Sequence, residues 1–569
     1  MPPQKRRRVD ITDASGLDKA GCASAALEAL ADPELEELSI DRRGIGPDAC
    51  CALAAALALH PSVTRVSMVR NGAGARGGRA LAAAIATNET LRTFDMSLND
   101  VGSDAARALG AALGRNGALT SLKMARCGLG PAGGKALAAA LLANSTLATL
   151  DVEGNDLGME GGKALASALR GNRTLTALNL DWNRIGFGDV GGAALLEALE
   201  TSRLKSLSLV MNELGGCYGA LRNLGRNASL TSLNLSRNEL GPGAGDVVAR
   251  VLTWQTLRRL DVSANDLGAG SVAIGYGLAE NESLTHLDMS RNGVESPLFG
   301  EALEVNATLR SLAIRENDLG DAGGAALARG LARNRTLETL DASRNGLSRG
   351  VGDALASAIA ARASSLARLD LSSNELGDSA EALVRACSGH GALAAANFAD
   401  NGVLEISLES QLALAGNGRL RVDLSANALS SPPLGGAATP ERLRDYVSLL
   451  AAEASAVSRV RVMVLGFGGV GKTTFCAAAT SGALAAFGDQ LAPVERWDVA
   501  RVKKWARNLG TRFDEAAAAM LERGGVAGVD LPALVSEAGA LLCRIQPLVW
   551  VVPTKLENSL ARSHRSRFG

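Results

Sequence analysis

Apolar positions recur along this chain in one phrase, LxxLxLxxNxLG. Its first position falls at Leu35, Val63, Leu91, Leu119, Leu147 and Leu175, each 28 residues after the last. It continues at Leu204, Leu230, Leu257, Leu284, Leu309, Leu337, Leu366 and Leu393, and a degenerate last copy ends in Val422-Asp423-Leu424-Ser425-Ala426-Asn427, making about fifteen copies. In Leu147-Ala148-Thr149-Leu150-Asp151-Val152 alternate residues point the same way, so a strand is predicted with Leu150 and Val152 inward. The second half of each copy reads as a helix: Leu165, Ala168 and Leu169 form one apolar face at i, i+3 and i+4. Asn172 closes that helix, where asparagine tolerates a left-handed conformation. Asparagine also holds the ninth position in thirteen copies, from Asn71 to Asn427, where its amide is expected to satisfy backbone groups as the chain leaves the strand. Arg43 and Cys127 stand in its place in the other two. One strand-plus-helix unit cannot bury its own apolar face, so the units are stable only when stacked.

This pattern resembles the long leucine-rich repeats of the ribonuclease-inhibitor type over residues 31–431. The resemblance implies an α/β horseshoe with a parallel sheet on the concave side and helices on the convex side. In that geometry the third, fifth, seventh and eighth positions face the concave solvent. The fifth-position column is largely acidic (Asp95, Asp151, Asp261, Asp288, Asp341, Asp370 and Asp423, with Lys123 as an exception). The eighth is partly basic (Arg42, Arg70, Arg126, Arg237, Arg291 and Arg344) and also holds Leu98, Trp182 and Met211. Exposed Trp, Met and Arg are favoured interface anchors. Trp182, Met211, Asp151, Arg237 and Arg291 are therefore the candidate partner-binding residues.

The recurring Asn-x-Ser/Thr at Asn88, Asn144, Asn172, Asn227, Asn281, Asn306 and Asn334 mimics glycosylation sites, but it follows the repeat because Asn closes each helix. Ser430-Ser431-Pro432-Pro433 ends the repeats. Residues 440–456 then read as a helix, with Leu443, Tyr446 and Leu450 on one face and Pro440 at its start. Val460–Leu465 reads as a strand running into Gly466-Phe467-Gly468-Gly469-Val470-Gly471-Lys472-Thr473, the GxxxxGK[ST] phosphate-binding loop, and Thr474–Ala479 reads as the helix after it. Gly466, Gly468, Gly469, Gly471, Lys472, Thr473 and Thr474 are the candidate nucleotide-binding residues, with the Thr473 hydroxyl on Mg²⁺.

Repeats, a short helix and then VRVMVLGFGGVGKTTF resemble the Roco proteins, whose Ras-like Roc domain follows their leucine-rich repeats. The resemblance implies GTP with Mg²⁺ as cofactor. No DxxG follows the loop, and Thr554-Lys555-Leu556-Glu557 only faintly resembles the guanine motif, so the G domain reads as incomplete. Trp497, Val502, Trp505, Leu509-Gly510, Phe513, Val526-Ala527-Gly528, Leu531 and Leu534 resemble a SAM domain, a small helical bundle that would imply self-association. The expected organisation is a basic tail and lead-in helix (1–30), repeats (31–431), linker and helix (432–457), P-loop segment (458–488), SAM-like bundle (492–545) and a tail or G-domain remnant (546–569).

Composition narrows this picture in three ways. Lys+Arg and Asp+Glu both number 59, which gives no support for a general nucleic-acid binder. Hydrophobic content is 47% but aromatics are 3%, which suits thin, closely stacked layers. The eight cysteines form no CxxC pair and only four histidines exist, arguing against zinc or nucleophilic catalysis and for reduced, buried thiols. No apolar run reaches the ~18 residues of a membrane span. The start MPPQKRRRVD lacks a secretory apolar stretch, so a cytoplasmic location is expected. Lys5, Arg6, Arg7 and Arg8 resemble a nuclear-import signal, which would add the nucleus. The leading expectation is a protein-binding scaffold. The alternatives are a working GTPase or NTPase switch and a direct blocker of an enzyme.

Overall fold

The computed structural model describes residues 7–13, 16–223, 227–361, 365–430, 441–443, 445–446 and 448–449, together with the backbone of 460–462 and 475–477; the side chains at 221–223, 408, 412 and 415 lie outside this set. The chain forms two compact units, Met1–Ser448 and Leu449–Gly569.

In the first unit, sixteen parallel strands of three residues form one sheet in sequential order, from Arg8–Asp10 to Arg421–Asp423. The register follows the repeat: Leu38 pairs with Val66, Val66 with Phe94, Phe94 with Leu122, and Leu122 with Leu150. Because the fourth position is always the middle of a strand, its side chain is always on the buried face; Leu150 and Val152 are buried as the alternation predicts. Helices return the chain to the next strand. Gly158–Gly171 buries Leu165, Ala168 and Leu169, the face read from the sequence.

The helix interface explains the small-residue composition. A Cβ on Gly78 would lie 2.7 Å from the Cβ atoms of both Ala105 and Val101. Neighbouring helices therefore pack closely through Gly and Ala, and leucines fill the layer between helices and sheet. Four adjacent helices, from Gly46–Ala58 to Gly130–Ala143, run 12–14 residues. Between Arg184 and Leu252 the connectors shorten to Val190–Ala198, the 3₁₀ turn Tyr218–Asn223 and Gly245–Leu252, and Gly320–Arg333 again runs 14 residues.

Several expectations change. The segment expected to be a basic tail supplies the first strand: Arg8–Asp10 pairs in parallel with Glu37–Ser39, placing Val9 opposite Leu38 and extending the sheet by one ladder. Asn172 is not left-handed but extended, with φ −71° and ψ 135°, as are Asn88, Asn144 and Asn334. The reason is the side-chain bonding. Asn172 Nδ2 donates to Leu141 O at 2.6 Å in the preceding repeat, while Oδ1 accepts from the N–H groups of Thr174 and Leu175. These amides are buried and bonded, as the structural reading of Asn-x-Ser/Thr requires. The first compact unit also runs past 431: Leu443 is buried in the same core and Tyr446 packs against it.

In the second unit, Val460–Val462 is a strand as expected. Phe475–Ala477 is a strand too, paired antiparallel with it, where a helix over 474–479 was expected. The backbone register sets Phe475 opposite Val462. Residues 466–474, the SAM-like segment 492–545 and the tail 546–569 lie outside the described residues.

Candidate functional site

The ninth-position asparagines build a buried spine along the edge where the chain leaves the sheet. Asn183 Nδ2 donates to Val152 O of the preceding repeat and to Leu180 O of its own, both at 2.9 Å. Its Oδ1 accepts from Asn155 N at 3.0 Å. The same bonds recur at Asn99, Asn155, Asn238, Asn265 and Asn292. At the two exceptions the donor survives: Cys127 Sγ donates to Met96 O, and Arg43 Nε donates to Ile11 O at 2.9 Å.

This spine sets the conformation of the residue before it. Every eighth-position side chain sits in the left-handed region, including Arg126 (φ 52°), Trp182 (φ 58°), Met211 (φ 57°), Arg237 (φ 57°) and Arg291 (φ 56°). These types seldom adopt it. Here the asparagine bonds on either side impose the bend, and the eighth side chain is turned out to solvent. Arg42, Arg70, Leu98, Arg126, Trp182, Met211, Arg237, Arg291 and Arg344 are all exposed.

The fifth-position column does a different job. Each Asp accepts a hydrogen bond from the backbone N–H two residues on: Asp95 from Ser97, Asp151 from Glu153, Asp261 from Ser263, Asp288 from Ser290, Asp341 from Ser343 and Asp370 from Ser372. This Asx turn ends the strand. The carboxylates are only half-buried, yet burial raises the pKa of Asp151, Asp288 and Asp341 above the ordinary aspartate value.

One stretch of this edge is shaped unlike the rest. Gly154 occupies the eighth position between Arg126 and Trp182, and a Cβ there would lie 2.8 Å from Arg126 Cγ. The missing side chain opens a shallow depression of about 510 Å³, lined by Arg126, Gly154, Asp156, Trp182 and Arg184. Trp182 is 47% exposed, Met211 38% and Phe187 63%. The Arg184 guanidinium lies 5.4 Å from the Phe187 ring centroid and pairs with Glu213 at 3.2 Å. Arg126 pairs with Glu153, also at 3.2 Å. Asp181 Oδ1 accepts from Ser208 Oγ at 2.6 Å and Val210 N at 2.8 Å. Its pKa is raised by burial first and then by the charges of Glu153 and Asp151.

Of the sequence-predicted residues, Trp182 and Met211 are neighbours across the sheet edge, joined by Trp182 N to Val210 O at 2.8 Å. Asp151 lies in the repeat before Trp182, and Arg237 in the repeat after Met211. Arg291 stands apart, in an ion-pair group in which Glu316 also meets Arg315 and Arg344. Sequence reasoning missed Gly154, Arg184 and Phe187. The signal for Gly154 was present, since it is the one glycine of the eighth-position column. Arg7 and Arg8 of the basic cluster are ion-paired, to Asp32 and Asp10. Lys5, Arg6 and the P-loop residues Gly466, Gly468, Gly469, Gly471, Lys472, Thr473 and Thr474 lie outside the described residues. Among the described residues no group of acidic, His or Cys side chains is placed to hold a metal, and no helix is long and apolar enough to cross a membrane.

A single parallel sheet, one helix or turn per strand and a buried asparagine spine define a solenoid of α/β repeats. Seven stretches, residues 87–110, 118–138, 143–166, 171–196, 226–249, 280–297 and 305–328, match the family described as leucine-rich repeat. Over these stretches the chain is built of leucine-rich repeats. No curated protein matches the chain. Similar solved structures include the tropomodulin C-terminal domain of Caenorhabditis elegans, 18% identical over 27% of this chain and 92% of that one, with a TM-score of 0.23. They also include human 5T4 (trophoblast glycoprotein), 21% identical over 35% of this chain and 70% of that one, with a TM-score of 0.27.

Proposed function

We propose that the array is a protein-interaction scaffold and that its partner sits on the strand side, centred on Trp182 and Met211. The supporting observation is the depression at Gly154, where a largely charged edge gives way to exposed Trp182, Phe187 and Met211. Aromatic side chains beside a concavity carry a large share of interface energy. Among the candidate residues, Arg237 extends this patch by one repeat, and Asp151 lies on its sheet side. The test is partner affinity of Trp182→Ala. It is expected to fall by more than ~1 kcal/mol while the thermal midpoint stays unchanged, because the side chain is half exposed and the backbone bend belongs to Asn183. Unchanged affinity removes Trp182 from the contact.

GTP binding with Mg²⁺ at residues 466–474 is a separate proposal. It stands on the spacing of the motif and on the strand that precedes it; the strand at Phe475–Ala477 does not supply the helix N-terminus that such a loop uses. Calorimetric titration with Mg²⁺-GTP, using Lys472→Ala as control, tests it. Saturable binding lost in the variant supports it, and no binding in either protein ends it.

A further inference from the structure

Part of the basic run near the start of the chain is built into the first strand of the array. Lys5-Arg6-Arg7-Arg8 reads as a short nuclear-import signal, and a carrier that recognises such a segment must meet its cations with carboxylates and reach its main chain. Two of the four cations are already engaged within the fold. Arg7 Nη1 lies 2.5 Å from Asp32 Oδ2, its Nε lies 3.4 Å from Glu34, and Arg8 Nη2 lies 3.1 Å from Asp10. The main chain is engaged as well. The Arg7 carbonyl accepts from the N–H groups of Glu36 at 3.0 Å and Glu37 at 3.3 Å, and Arg8–Asp10 pairs with Glu37–Ser39. Exposed ion pairs contribute little to stability, so the anchor lies elsewhere. It is Ile11, directly after the strand. Its side chain is buried in the core, its N–H donates to Ser39 O at 2.8 Å, and its carbonyl accepts from Arg43 Nε at 2.9 Å. Arg43 departs from the ninth-position asparagine, and here it ties the first strand to the next repeat.

A carrier and the fold therefore compete for the same groups. Asp32 and Glu34 stand where the carrier's carboxylates would, and the sheet ladder holds the main chain. An end repeat has a neighbour on one side only, so its outermost strand is the element that opens at least cost. We propose that the first strand is a latch: its pairing withholds Arg7 and Arg8, and with them the basic segment, from a nuclear-import carrier, and release of Arg8–Asp10 from Glu37–Ser39 exposes them. The packing of Ile11 and its bond from Arg43, rather than the ion pairs, set how firmly the latch is held. The inference is independent of the contact proposed at Trp182.

The test measures binding of the full chain to the purified adaptor that recruits short basic import signals, immobilised on a sensor surface. Ile11→Asp puts a charge into the core beneath the strand and is expected to bind about tenfold tighter than the unaltered chain, or more. Lys5→Ala with Arg6→Ala, added to Ile11→Asp, is expected to abolish that gain, which separates recognition of the signal from adhesion of a loosened chain. Arg43→Ala leaves Ile11 in place and is expected to give a smaller gain in the same direction; it carries the comparison should Ile11→Asp fail to fold. Trypsin is expected to cut after Arg8 sooner in Ile11→Asp than in the unaltered chain. Equal binding by the unaltered chain and the opened variant overturns the inference, whether both bind or neither does. A gain that survives the loss of Lys5 and Arg6 overturns it too, as do equal rates of cutting after Arg8.

Discussion

A single asparagine per repeat controls two things at once, the joining of adjacent repeats and the left-handed residue before it. Asn183→Ala would orphan the Asn155 N–H and remove one of the two amide donors from each of Val152 O and Leu180 O, which keep those of Asn155 and Asn212. At roughly 1–3 kcal/mol for an orphaned buried group, a loss on the order of 2 kcal/mol is expected in urea unfolding. His60 does at one helix end what asparagine does elsewhere: Nδ1 accepts from Val63 N at 3.0 Å, so the ring proton is on Nε2, facing Asp32 O at 3.1 Å. Burial lowers its pKa from the usual 6.5. The folded chain therefore binds fewer protons than the unfolded chain just below that value. Its contribution is fully present above about pH 6.5 and declines as pH falls through the window beneath. Urea midpoints of His60→Asn are expected to show a shallower acid loss than those of the unaltered chain. The ninth-position asparagines were legible because they recur in register. The left-handed conformation was not, since Arg, Trp and Met carry no sign of a bend imposed by their neighbours.

Elements pack through small residues, and glycine positions differ sharply in what they tolerate. A Cβ on Gly300, in the helix Leu298–Val305, would lie 2.2 Å from the backbone carbon of Ala326. Gly300→Ala is expected to destabilise by about 1–3 kcal/mol as the two helices move apart. Gly114, at the end of Gly102–Leu113, has φ −63°, and its nearest contact to a new Cβ is an ordinary 3.6 Å. Gly114→Ala is expected to stabilise by about 0.4–1 kcal/mol through the unfolded chain. Paired thermal melts check both. Helix faces such as Leu165, Ala168 and Leu169 were readable from period alone. The first strand was not, because Val9 and Ile11 are two apolar residues behind a run of basic ones, too short a pattern to mark a strand before it pairs with Glu37–Ser39. The short connectors after residue 184 were hidden as well. Their course depends on close backbone approaches, such as Gly186 against Glu213 O, that no apolar pattern records.

Across the array, the repeat fixes where each strand from Glu37–Ser39 to Arg421–Asp423 lies, while exceptions to the repeat mark the candidate site. Trp182 and Met211 stood out as residue types, but the depression beside them arises from what Gly154 lacks. The half-buried aspartates give the sheet side an acid-dependent stability. Burial raises the pKa of Asp151, Asp181, Asp288 and Asp341, so each is a burden in its charged form, and the folded chain takes up protons before the unfolded chain does. Their contribution therefore rises as pH falls from neutrality toward the ordinary aspartate range. Asp288→Asn, which can still accept from Ser290 N, is expected to raise the urea midpoint at neutral pH and to lose that advantage in acid. Photocrosslinking in cell extract decides most directly whether the sheet edge is the working surface. A benzoylphenylalanine at Met211 is compared with one at Tyr276, which is exposed on the helix Ser271–Ala279. A discrete adduct from position 211 that Trp182→Ala abolishes, with none from 276, is the predicted result. An adduct from 276 with none from 211 would contradict it and move the interface to the helices.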